Sequence, residues 1–145
     1  MSKVVSNLNQ LLADLNVLYR KVQNYHWNIK GKEFFQLHAK LEEYYDYIND
    51  QIDEVAEKIL MAGGQPLGRM KDYLELSKIV EAENEKISAE DVLNSLEKDF
   101  KYIKKEILEL KVLADEAGDY EISAFADELV GGYSKAIWMI SQARL

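Results

Sequence analysis

Two histidines occur in this chain, His26 and His38, and they stand on either side of Gly31. Glu42, Asp53 and Glu57 follow them. His38/Glu42 and Asp53/Glu57 are each spaced i, i+4, so on a helix each pair shares a face. Imidazole and carboxylate, in a chain without cysteine, form a donor set for Fe, Mn or Zn. Two histidines with carboxylate and open coordination positions are particularly suited to Fe(II) oxygen chemistry. If one helix carries both His38 and Asp53, the two are about 22 Å apart along its axis, too far to hold one ion within one subunit. Two copies packed antiparallel about a two-fold axis would instead bring the His end of one to the Asp/Glu end of the other, with two equivalent sites per dimer. The usual di-iron arrangement inside a bundle needs Glu-x-x-His motifs. Here Gln23 and Phe35 occupy the positions three before the histidines. A plainer reading stands beside this one: an acid-rich helix produces i, i+4 acid pairs by chance, and a histidine between Tyr25 and Trp27 can be a hydrogen-bonded core residue.

Helices must carry these residues. The 145 residues are 48% hydrophobic and 30% charged, with one Pro and seven Gly, which predicts one helical domain over residues 1–145 and excludes an all-β fold. Leu8, Leu11, Leu15, Leu18, Val22, Tyr25 and Ile29 advance in helical steps until Gly31. A second stripe begins near Lys32 and runs through Phe34, Leu37, Leu41, Tyr45, Ile48, Ile52, Val55 and Ile59 to Gly63, Gly64 and Pro66. Residues 63–87 break the pattern, although Met70, Tyr73, Leu74 and Ile79 suggest a short helix across the bundle end. Ser88-Ala-Glu-Asp91 reads as a capping box for a third long helix. Gly118 closes that helix, and Asp119 is placed to cap a fourth, through Ile140. The expected fold is all-α: a four-helix bundle whose long crossover carries a short helix, a topology that includes the ferritin-like folds.

Charge narrows the partners. A formal charge of −8 disfavours phosphate backbones and anionic membranes. No run of eighteen apolar residues or signal-peptide pattern is present, so a soluble cytoplasmic protein is expected.

Tyr25-His-Trp-Asn-Ile-Lys-Gly31, Phe34-Phe-Gln-Leu-His38 and Asp53-Glu-Val-Ala-Glu57, in this order, resemble the signature of the Dps family, the mini-ferritins named as DNA-binding proteins from starved cells. The resemblance continues through Gly63-Gly-Gln-Pro66 to Trp138-Met139. It implies a ferritin-like fold and a homo-oligomeric, dodecameric shell. Its activity would be that of a ferroxidase, oxidising Fe(II), preferably with hydrogen peroxide, storing ferric mineral and so protecting against oxidative damage. By position, His26 and His38 would act from one subunit and Asp53 and Glu57 from its partner, with Glu42 as a further metal ligand where the family often has Asp. A ligating imidazole must be neutral, so iron binding is expected to weaken in acid.

Other features carry less. Trp27 is expected close to the metal, and the tyrosines Tyr25, Tyr44, Tyr45 and Tyr47 are expected mainly to pack. Asp115, Glu116, Asp119, Glu121, Asp127 and Glu128 form a run without Lys or Arg, near where the family has acidic iron-entry pores; Ser123-Ala124-Phe125 departs from the commoner pattern there. Only Lys3 precedes the first stripe and the chain ends at Arg144-Leu145, without the Lys-rich arm of DNA-condensing members, so direct DNA binding is not expected. Two rival readings remain: a nucleoid protein with a secondary metal site, and a structural helical oligomer without catalysis.

Overall fold

The computed structural model describes residues 2–144. Helix α1 (Lys3–Asn28) begins at Ser2, whose hydroxyl accepts from the Val5 amide at 3.1 Å, a cap the apolar pattern does not reveal. Its stripe from Leu8 to Tyr25 is buried. Ile29 is buried too, but in the two-residue strand β1 (Ile29–Lys30), just past the helix end. Gly31 then takes φ +115°, a conformation that suits a residue without Cβ, and turns the chain into α2 (Phe34–Met61). The crossover carries α3 (Met70–Leu76) and β2 (Ile87–Ser88), and leads to α4 (Ala89–Glu116) and α5 (Tyr120–Ala143). Ser88 accepts from the Asp91 amide at 3.2 Å and Asp119 from the Ile122 amide at 3.0 Å, so both expected caps form.

β1 and β2 pair in parallel, Ile29 with Ile87 and Lys30 with Ser88. This pairing joins the end of α1 to the start of α4. Since α2 also starts at that end, α2 and α4 run parallel, which the long crossover permits. The two strands are too short to register as an alternating pattern in the sequence.

The short helix lies elsewhere than expected. It packs against the flank of α1, not across the bundle end, because a second, polar stripe on α1 binds the crossover. Asn9 donates to the Gln65 carbonyl at 3.2 Å and accepts from the Leu67 amide at 3.0 Å. Gln10 donates to the Leu76 carbonyl at 3.0 Å. Asp14, wholly buried, accepts from the Ser77 hydroxyl, the Lys78 amide and the Tyr102 hydroxyl, each at 2.8 Å. A buried carboxylate needs such donors, so the crossover and α4 supply what the apolar core cannot. Lys21 and Asp99 form a second buried link between α1 and α4, at 2.7 Å. Near Asp14 and Tyr102, Glu106 is buried, with one carboxylate oxygen lacking a hydrogen-bond partner. Burial, and then the charges of Asp14 and Glu109, push its carboxyl above the ordinary range.

Candidate metal centre

His26 sits in the last turn of α1 and His38 in the second turn of α2, so the Gly31 turn places them side by side. Their rings stack at 3.8 Å between centroids and 12° between planes. Nδ1 of His26 donates to the His38 carbonyl at 2.6 Å, and Nδ1 of His38 donates to the His26 carbonyl at 2.8 Å. A carbonyl only accepts, so each Nδ1 carries the hydrogen. In the neutral ring the lone pair is then left on Nε2, and a backbone carbonyl behind an imidazole is the usual device that fixes a ligand's tautomer. Glu42, one turn beyond His38, brings Oε1 to 3.7 Å from His26 Nε2.

Aromatic rings wall the pair. Phe34 stacks on the outer face of His38 at 4.8 Å and 18°, as the i, i+4 spacing on α2 allows. Tyr45 meets His26 edge-on at 5.3 Å and in turn meets Tyr19 at 5.7 Å. Burial, and then the Glu42 charge, push the Tyr45 phenol above its ordinary pKa, so it remains a neutral wall. The contact of Tyr45 with His26 is visible only once the helices are packed. His26 is 6% exposed, and the helix-end carbonyl it offers to His38 is one that α1 itself leaves without a helical partner.

Asp53 and Glu57 are exposed on the farther half of α2. The helix is continuous from Phe34 to Met61, so they stand away from the histidines by the distance the spacing gives. Among the described residues, no three His, Asp or Glu side chains converge as metal ligands within one chain. The fold stacks His26 on His38 and sets Glu42 beside His26 without closing the three into a metal-holding group, and it leaves Asp53 and Glu57 apart from them. Trp27 is 54% exposed and its ring lies 5.7 Å from the Arg20 guanidinium carbon.

The acidic run near the α4–α5 turn is less bare than its sequence. Lys111, from just before it, reaches Asp127 at 2.8 Å and Asp115 at 3.9 Å. Ser123 accepts from Lys111 at 2.6 Å and donates to Asp115 at 2.5 Å, and Lys58 pairs with Glu121 at 3.1 Å. Asp119 is spent on the α5 cap.

Residues 5–144 match the model of the ferritin-like domain family. The chain is 39% identical over 141 residues to DNA protection during starvation protein 2 of Bacillus anthracis, covering 95% of this chain and 94% of that one. Its fold superposes on the crystal structure of Helicobacter cinaedi CAIP with a TM-score of 0.96 and 37% identity, covering 99% and 100% of the two chains. The Dps protein of Vibrio cholerae O1, described as a member of a broad superfamily of ferritin-like diiron-carboxylate proteins, gives a TM-score of 0.93 at 36% identity, covering 97% and 87%. No helix among the described residues is long and apolar enough to cross a membrane.

Proposed function

Since this chain belongs to the Dps family of ferritin-like proteins, we propose that it is an iron-storage and detoxification protein, a ferroxidase acting as a single domain of residues 1–145. It assembles as a cytoplasmic, dodecameric shell, oxidises Fe(II) with hydrogen peroxide as preferred oxidant, and keeps the ferric mineral inside. The observation that carries this reading is the reciprocally bonded imidazole pair, whose two Nε2 atoms are the ones left to ligate.

On this reading His26 and His38 hold Fe(II) from one subunit, with Glu42 beside them, and Asp53 and Glu57 of the partner subunit complete the site. Neutral imidazoles suit Fe(II), while the added carboxylate charge favours the Fe(III) product. Two Fe(II) ions supply the two electrons that reduce one hydrogen peroxide, with two protons, to two waters. Both reagents of hydroxyl-radical chemistry are thereby consumed. Phe34 and Tyr45 keep the imidazoles in place and limit water around them. DNA condensation forms no part of this function, because a formal charge of −8 opposes attraction to a phosphate backbone.

Replacing His26 and His38 together by Gly tests the reading. Rapid peroxide-dependent iron oxidation is expected to disappear while the assembled particle persists. Unchanged initial rates in a correctly assembled double variant would overturn the assignment.

A further inference from the structure

Helix α2 packs on α1, α1 on α4 and α4 on α5, whereas α2 and α5 stand apart. The gap between them is an apolar trench floored by Leu96 and Phe100 of α4, each only 1% exposed. Two adjoining cavities of about 310 and 270 Å³ make up the trench and share Lys40, Tyr44 and Met139 as walls. One end is shut. There Tyr47 leans across to Tyr133, with 6.0 Å between ring centroids, and the Tyr133 hydroxyl donates to Gln51 Oε1 at 2.6 Å. This closure requires Gly132, since a Cβ at that position would overlap the Tyr47 hydroxyl. A glycine inside a helix costs stability, so the closed end is kept against local preference. From it the trench runs toward the end of α5 between Leu37 and Leu41 on one side and Ile140 on the other. Charge marks its middle: Lys40 of α2 and Lys135 of α5 line the same cavity, and Glu43 is the one acid lining either cavity among the described residues. Lys40 Nζ lies 3.7 Å from Glu43 and 5.2 Å from the centre of the Tyr44 ring, while Lys135 is exposed and forms no ion pair among the described residues. In a chain of formal charge −8, this rim has one positive charge in excess.

We propose that the trench between α2 and α5 binds a fatty acid, with the carboxylate held between Lys40 and Lys135 and the alkyl chain lying along α5 toward Ala143. A concave apolar site with a few polar groups at one point is the usual form of a small-molecule pocket. Here the apolar part is long and aliphatic beyond Tyr44, which suits a flexible chain rather than a ring. Positions 135 to 143 span about 12 Å along the helix, room for a chain of medium length. Burying the chain is favourable, and a carboxylate between two ammonium groups gains charge-assisted hydrogen bonds. An amine of the same length would meet two like charges there. None of the residues assigned to iron lines the trench, so this site stands or falls apart from the oxidation chemistry.

Calorimetric titration of the intact protein with dodecanoate, below its micelle concentration, tests this. Saturable binding of one dodecanoate per chain is expected, with no saturable binding of dodecyltrimethylammonium and much weaker binding of benzoate. No saturable dodecanoate site, or a cationic amphiphile bound equally well, would overturn the proposal, and benzoate bound as tightly as dodecanoate would overturn the alkyl chain. The double variant Lys40→Gln/Lys135→Gln changes only the rim and is expected to weaken dodecanoate at least about tenfold; unchanged affinity would remove the lysines as the carboxylate's partners. Ala143→Trp, at an exposed position in the last turn of α5, shortens the open end of the trench. It is expected to weaken dodecanoate several-fold and to leave hexanoate unaffected, and equal affinity of the variant and the parent for dodecanoate would overturn the path given to the chain.

Discussion

Phe34 is the side chain on which the aim of His38 depends. The imidazole has one hydrogen bond, from Nδ1 to the His26 carbonyl, and a single bond leaves the ring free to swing about it. The faces of Phe34 and His26 on its two sides remove that freedom. Phe34→Leu is therefore expected to weaken anaerobic Co(II) binding about tenfold, in the range found when groups behind a metal ligand are altered, with Phe34→Tyr restoring it. Calorimetric titration of the two variants checks this. Glu106 offers a test of sign. Its carboxyl is held above the ordinary range by burial and by Asp14 and Glu109, so the fold prefers it protonated. That preference costs nothing below the unfolded-chain value, and stability is lost as pH rises through the raised folded value. Glu106→Gln should stabilise the protein at pH 7 and have no effect below about pH 4, as read from urea unfolding at each pH.

Among the elements, the four long helices were legible because leucine and isoleucine recur at helical steps and Ser88 and Asp119 mark two starts. The crossover was legible only as a gap. Its path is written in Asn9, Gln10 and Asp14, polar residues among leucines whose partners lie more than fifty positions away, and neither periodicity nor turn chemistry can pair residues at that range. The same limit hid the buried Lys21–Asp99 bridge, since a lysine and an aspartate read as surface. Spacing and family signature nominate His26, His38, Glu42, Asp53 and Glu57 as candidates, while the stacking of the two imidazoles and their reciprocal carbonyl bonds needed two helices in place. Asp14 gives the prediction proper to this scale. Asp14→Ala leaves Tyr102, Ser77 and the Lys78 amide without their acceptor, at a cost of at least about 3 kcal/mol. Hydrogen exchange should quicken through residues 65–83 before it does in α1 itself.

For the molecule as a whole, the proposed site divides its ligands between copies, and complementation follows. A His26/His38 variant and an Asp53/Glu57 variant, each inactive, should recover iron oxidation when their subunits are reassembled together, because each mixed dimer then contains one intact site. Stopped-flow rates on material of verified mixed composition decide this. Light scattering should report a particle far heavier than the 16.8 kDa chain.

The separation of His38 from Asp53 along one unbroken helix bears also on when iron chemistry can start. A solitary protomer, fresh from the ribosome, offers a metal two imidazoles and one nearby carboxylate but not the acids that finish the set in the proposed site. Competence would then be conferred by mass action: redox activity per chain should rise with protein concentration through the assembly threshold and vanish on dilution. Oxidation would thus begin only once two copies have paired, the first step toward the shell that is to hold its product.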